Sequence, residues 1–506
     1  MKYPTAATLV LMLTLASPAL AATARDIAIA GTSNGAPPCS ACHGKNGEGQ
    51  PAAGFPRLAG LNAAYMTHQL TSFVDGTRTN PVMGPIAKAL NDAQRTAVSD
   101  YYAGLTIPDT KAGSTAATPA IEAGALLANR GAWSKGVPAC TDCHGPLGSG
   151  VGAAFPRLAG QSALYTSNQF AAWRSGTRHN DPMGLMGQIA KRLDTNEVAD
   201  VAAYYAAEPD MSGTQRVEAA EKPAPHAAVA GPAAPAGAFT PPPEAAIPDN
   251  DFGKMVRLGE NIFYNTQDYA GQYIGNNLQC SNCHLDRGRL AGSAPLWAAY
   301  VAYPAYRSKN KHVNTYAERL QECFRYSMNG KPPADDSTIL VALEAYSYFL
   351  ARGAAVGADM PGRGYPGLEK PTHPFDYARG EKVYAENCAL CHGADGQGQS
   401  SAAGKPAFPP VWGAHSYNWG AGMADIRNAA AFIEANMPLS QGNKLSQQDA
   451  WDVAAFVDGH ERPQDPRFTG SVAETRTKYH DSPMSMYGRE VNGIMLGEHS
   501  PPAGPR

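Results

Sequence analysis

Two cysteines separated by two residues and followed at once by a histidine occur four times in this chain of 506 residues. They are Cys39/Cys42/His43, Cys140/Cys143/His144, Cys280/Cys283/His284 and Cys388/Cys391/His392. Thiols at that spacing can add across the two vinyl groups of a porphyrin, and the adjacent imidazole becomes the proximal ligand of the iron. Cysteine pairs alone would read as disulfides or zinc ligands. The histidine at all four sites points instead to four covalently bound c-type haems, which consume eight of the nine cysteines. The ninth, Cys323, belongs to a different chemistry.

A histidine-ligated iron keeps an open position or takes a sixth ligand. Met83 lies 40 residues past His43 in a Pro-Val-Met-Gly turn, and Met183 lies 39 past His144 in Asp-Pro-Met-Gly. A thioether on such a loop reaches iron and raises its potential. Met186 is the rival in the second site, and a methionine taken singly is often core filler. No Met-Gly loop follows His284. Cys323 stands 39 residues after it instead, where a lone cysteine would ordinarily be a small buried hydrophobe. Thr315 and Glu318 form a capping box that opens a helix, and Asn329-Gly330 closes it. Arg319, Cys323 and Ser327 then project from one face, with Met328 turned about 140° away from Cys323. Six Lys/Arg against two Glu lie between Tyr306 and Lys331, and cationic surroundings favour thiolate. We therefore expect His284/Cys323 ligation. A thiolate lowers the potential of its iron, which suits a catalytic centre better than a carrier.

The elements that position these groups follow from the rest of the chain. Lys2, an apolar run from Ala6 to Leu15 and a small-residue stretch ending at Ala21 read as a signal peptide, residues 1–21, that is cleaved on export to the periplasm. The run is short for a spanning helix, and no later segment is apolar enough to be transmembrane. A net charge of -3 gives no reason to expect nucleic-acid binding. Phe55–Gly60 (FPRLAG) recurs as Phe155–Gly160, Tyr65 and Gln69 as Tyr165 and Gln169, and Gly76-Thr77-Arg78 as Gly176-Thr177-Arg178, so two homologous monohaem domains stand in tandem. The Ala/Pro-rich stretch 212–248 cannot bury a core and reads as an extended linker crossed by few obligatory contacts. The expected fold is mainly α, with four cytochrome-c-like haem domains in two dihaem halves. Residues 22–115 and 116–211 are electron-transfer domains, 249–366 the catalytic domain and 367–470 an electron-exit domain. A tail, 471–506, without periodicity, is expected to lie loosely over the surface or be mobile.

Residues 30–208, through FPRLAG, the Gly-Thr-Arg turn and the Met-Gly loop, resemble the tandem dihaem cytochromes of the c-four group, which implies an electron carrier. APLW at Ala294–Trp297, YPAYRSKN at Tyr303–Asn310, ECFRYSMNGK at Glu322–Lys331, CALCHGADGQG at Cys388–Gly398, PPVWGAHSYNWGAGM at Pro409–Met423 and NMPL at Asn436–Leu439 resemble the dihaem thiosulfate dehydrogenase family over about residues 250–460. That resemblance implies oxidation of two thiosulfates to tetrathionate at Cys323, with Arg319 and Ser327 lining the substrate site and Arg307 and Lys309 as further candidates. It also implies Met437 as the sixth ligand of the fourth haem, with Met423 the competitor; some relatives carry a lysine before that methionine where Asn436 stands here. A downstream acceptor is implied: another cytochrome, a high-potential iron-sulfur protein or a terminal oxidase. The alternatives are tetrathionate reduction, the same chemistry reversed, and a non-catalytic tetrahaem electron shuttle, which would want His or Met in place of Cys323.

Overall fold

The computed structural model describes residues 18–106, 119–208, 237–307 and 309–504; the start of the expected signal peptide and residues 212–236 of the expected linker lie outside them. Two compact units divide the chain, Met1–Lys111 with Gln161–Asn180 and Ala112–Gly160 with Asp181–Arg506. Both are mainly helical, and the described strands make three two-stranded sheets. No described helix is long and apolar enough to cross a membrane.

In the first unit the helices Pro18–Ala30, Ala63–Asp75 and Asp92–Ala103 close on Ile27, Leu61, Met66, Val98 and Tyr102, all buried. Asn62 caps the second of these at the Tyr65 amide, and Asn91 with Gln94 makes a full capping box for the third. The helix Ala163–Ser175 of the second repeat belongs to the same unit. The residues that recur between the repeats meet there. Arg78 donates to Gln69, Tyr165 and Gln169, and Arg178 donates to Gln169, Tyr65 and Gln69. Each guanidinium is thus satisfied partly by its own repeat and partly by the other, and both are buried.

The second unit contains the remaining haem pentads. In each of its three domains an opening helix crosses a closing one at a glycine. A Cβ on Gly259 of Asp251–Tyr264 would lie 2.0 Å from the Ala342 carbonyl oxygen in Thr338–Leu350. Gly124 meets Asp200 and Gly380 meets Asp452 in the same way, each at 2.1 Å. Backbone-to-backbone approach at these crossings sets the helix pair that frames each haem site. The third and fourth domains share one apolar core, in which Ile262, Trp297, Leu340 and Phe349 pack in continuity with Trp419, Ile426 and Trp451.

Two expectations change. The segment after Ala236 is docked: Phe239 rests on Trp297, Pro242 accepts a hydrogen bond from Arg289, and Glu244 pairs with Arg130. Arg130 also reaches Glu260, which Arg287 flanks at 3.4 Å, and Phe155 lies 5.0 Å from Phe408. The second haem domain is therefore bound to the catalytic half by buried charge and aromatic contact. The tail is also folded. Ser471 caps a helix, Val472–Tyr479, a short hairpin pairs Glu490–Val491 with Ile494–Met495, and Tyr487 and Leu496 are buried. Its sequence hides this because only isolated side chains face inward.

Candidate active site

At three of the four pentads the histidine ends a short helix; at the third, a 3-10 turn, Cys280–Asn282, precedes His284. In every case Nδ1 meets a backbone carbonyl: His43 with Pro56 at 2.9 Å, His144 with Pro156 at 2.8 Å, His284 with Ala294 at 2.6 Å and His392 with Pro409 at 2.8 Å. A carbonyl only accepts, so Nδ1 carries the proton and Nε2 keeps a lone pair, as a metal-ligating imidazole requires. None of the eight cysteines is in a disulfide.

Cys39, Cys143, Cys280, Cys388 and Cys391 each pack against an apolar cluster, and all eight are half-buried. Cys42 stands in the four-residue helix Ser40–His43, which buries only His43. Its amide donates to the Cys39 carbonyl at 3.3 Å, so a single turn still sets the two thiols on one side of the helix. The donor sets thus fit c-type haem at all four places. The third is the most strained: Ala294, whose carbonyl orients His284, has φ 46, a left-handed conformation that costs a residue with a Cβ about 1 kcal/mol.

The segment opposite His284 begins as the sequence dictates. Thr315 accepts from the Glu318 amide and Glu318 reaches back to Thr315, opening the helix Tyr316–Glu322. The helix then widens into a single π turn over Cys323–Ser327, closed by Met328 N to Cys323 O at 2.9 Å. Donors from other segments take the carbonyls around it: Asn418 binds that of Arg325, Asn276 that of Ser327 and Gly275 N that of Met328. Such tertiary bonds account for a π turn that no local propensity would favour. The chain then leaves through Gly330, where a Cβ would sit 1.9 Å from the Tyr273 carbonyl oxygen.

Arg319 Nη1 lies 3.1 Å from Cys323 Sγ and 3.8 Å from Glu322. The charge of Cys323 is the main reason the Arg319 guanidinium is held even more firmly protonated than usual. The Cys280 and Cys283 thiols are pushed up to about 12 by burial, and both lie within electrostatic reach of Cys323. Tyr303, Tyr316 and Tyr365 surround it; burial raises all three, and the Cys323 charge adds to the shift. Arg307 is held by Tyr303 OH at 2.7 Å. Ser327 takes part through its carbonyl. Met328 is core, as expected of its direction. Lys309 is exposed as a residue, but its ammonium folds over the Tyr326 ring at 4.1 Å and donates to the Gly420 carbonyl. Desolvation there, then Arg467 and Arg319, bring it down to about 8.

Spacing could not reveal Tyr303, Tyr365 or Arg467 as members of this site, because they come from distant segments. Arg467 stacks on Tyr326 at 5.2 Å and on Tyr479 at 4.3 Å. Asp465 holds it at 2.6 and 2.9 Å, and His480 grips the same carboxylate at 2.9 Å.

The methionines sit on turns. Met83 begins the helix Met83–Lys88, and Met183, with φ 58, lies in a 3-10 turn ahead of Met186. Met437 leaves the helix Ile426–Asn436 in an extended conformation. Asn436 is buried, with its carboxamide donated to the Phe432 carbonyl at 3.1 Å. Met423 packs on the core shared by the third and fourth domains.

Known proteins match this chain segment by segment. The family described as SoxA/TsdA, cytochrome c domain, matches residues 266–356. The family described as Cytochrome c matches 36–106 and 122–206, and that described as Cytochrome C oxidase, cbb3-type, subunit III, matches 375–457. A thiosulfate dehydrogenase of Thiomonas intermedia is 60% identical over 264 residues, 52% of this chain and 84% of that protein. A thiosulfate dehydrogenase electron acceptor of Stutzerimonas stutzeri is 51% identical over 169 residues, 33% of this chain and 77% of that protein. Among solved structures, the thiosulfate dehydrogenase (TsdBA) from Marichromatium purpuratum in its as-isolated form superposes with TM-score 0.85 at 45% identity, covering 95% of this chain and all of that one.

Proposed function

The chain belongs to the thiosulfate dehydrogenase family, and on that premise we propose that it joins two thiosulfates into tetrathionate at Cys323 and delivers the electrons to its own amino-terminal dihaem cytochrome. It is an oxidoreductase bearing c-type haem. The observation that carries the reading is the Arg319 guanidinium 3.1 Å from Cys323 Sγ, a thiol and a fixed cation set against a haem attachment site. A plain electron shuttle has no use for that pair.

The eight pentad cysteines would hold four haems, and His43/Met83, His144/Met183, His284/Cys323 and His392/Met437 are the residues that would ligate their irons. Asn436 is committed to a backbone carbonyl, which supports Met437 as the ligand in both redox states; loss of the sulfur-to-iron absorption band of the oxidised fourth haem in Met437→Gly would report it. Bound there, haem supplies one-electron acceptors beside the sulfur chemistry.

The side chains do the rest. The Cys323 thiolate and the sulfane sulfur of one thiosulfate form an S–S bond as two electrons are withdrawn singly, leaving a Cys–S–S–sulfonate. A second thiosulfate attacks the sulfane sulfur of that adduct. Tetrathionate leaves, and the bonding pair returns to Cys323 as thiolate, stabilised by Arg319. Arg319 and Ser327 line the site, and Arg307 and Lys309 offset the repulsion between dianions. Cys143 and Cys391 pack against one cluster of Val151, Phe155 and Phe408, which supports electron transfer between the second and fourth domains. Methionine-ligated acceptors favour the oxidative direction. The expected setting is the periplasm, with a further cytochrome, high-potential iron-sulfur protein or terminal oxidase downstream.

The test is Cys323→Ser. The variant should keep all four haems by pyridine haemochrome assay yet lose thiosulfate-dependent haem reduction. Near-normal thiosulfate oxidation by that variant would remove the mechanism.

A further inference from the structure

Arg467, just before the tail, brings a cation to a place the first thiosulfate does not need. Arg467 and Lys309 share the ring of Tyr326, at 5.2 and 4.1 Å, and Tyr326 is part of the same π turn as Cys323. Gly420 lets them converge, because a Cβ there would lie 2.5 Å from the Tyr326 ring. Arg467 is fixed from behind. Asp465 takes Nε and Nη2, Tyr479 lies under the guanidinium, and His480 holds Asp465 from its far side. Among the described residues no protein group takes the two N–H donors of Nη1. Lys309 likewise spends only one of its three donors, on Gly420. Asp465 and Glu322 are the acidic groups near these cations, and both are engaged, by Arg467 with His480 and by Arg319. Gathering Lys309, Arg319 and Arg467 costs Coulomb energy that a dianion would recover.

Resting on the reading that Cys323 is the nucleophile, we propose that Arg467 and Lys309 receive the sulfonate of the second, incoming thiosulfate, and so of the newly formed half of tetrathionate. Arg319 is in contact with the thiol and serves the thiosulfate that becomes bonded to it. The incoming dianion is never bonded to Cys323, and it needs its own cations to one side, with its sulfane sulfur directed at the adduct. In that step the bond between the two sulfane sulfurs forms and the bond from Cys323 Sγ to the adduct sulfur breaks. The electron pair leaves on Cys323, and no net oxidation occurs. Arg467 is thus a residue of the second half-reaction, held by a clamp that the tail completes.

Anaerobic rapid mixing of the holoprotein with thiosulfate separates the halves. In Arg467→Gln the first phase of haem reduction should stay within about twofold of wild type, because it uses one thiosulfate. Steady-state tetrathionate formation should fall on the order of 10- to 100-fold, as for loss of a charged hydrogen-bond donor, with KM raised. The Cys323 peptide should retain the mass of one thiosulfate. Arg467→Lys should recover most of the turnover. If both phases of Arg467→Gln slow together, or neither slows, or the lysine variant is no better than glutamine, the proposal is wrong while the Cys323 mechanism stands. If wild type shows no thiosulfate-dependent first phase, the Cys323 mechanism itself fails, and the proposal falls with it.

Discussion

Lys309 is the residue whose protonation a pH titration will report. Held down to about 8 by desolvation over Tyr326 and by Arg467 and Arg319, it is cationic below that pH and neutral above it. Attraction for a dianion is therefore present on the acid side and lost as pH rises. The value of kcat/KM for thiosulfate, which reports the free enzyme, should decline through about pH 8, and Lys309→Arg should flatten that limb because arginine stays charged. Identical profiles for the two proteins would show that Lys309 carries no substrate charge. Cys323 and Arg319 could be paired from the sequence because four residues on a helix is a local distance. Arg467 could not, since it lies 144 residues from Cys323 and only the folded chain brings it to Tyr326.

Among the elements, the capping box at Thr315 forms as its residues require. The π turn after it was not legible, because it depends on Asn276, Asn418 and Gly275 drawing carbonyls out of register. In the tail only the helix start has a signature, Ser471 followed by Glu474, while its few inward side chains follow no period. The glycine crossings yield a stability prediction. Gly259→Ala places a methyl 2.0 Å from the Ala342 carbonyl oxygen and should destabilise the third domain by about 1–3 kcal/mol. Gly271→Ala, with nothing within 4 Å, should change little. Thermal melts of the two holoproteins followed by circular dichroism check this; equal midpoints would show that the helices part freely at the crossing.

For the molecule as a whole, the repeat and the c-type haem motifs were readable because each pentad and each recurrent motif is contiguous. The union of the second haem domain with the catalytic half was not, since Arg130, Glu244 and Glu260 carry no pattern. Protein nicked between 212 and 236 should consequently elute as one species at low salt. Its amino-terminal half, expressed alone, should still carry two haems and accept electrons from the catalytic half. Glu260→Gln leaves Arg130 and Arg287 short of a buried partner and should weaken reassociation by about tenfold or more. Gel filtration and haem spectra of the nicked protein would contradict this if the halves separate freely or the isolated half lacks haem. The reciprocal bonding of Arg78 and Arg178 has a consequence for descent. Either repeat without the other would leave a buried guanidinium short of the glutamine and tyrosine that the sister copy provides, a deficit of several kcal/mol. Once that exchange was in place, deletion of one copy ceased to be a neutral step. Duplication would thus act as a ratchet, since each repeat has become part of the interior of the other.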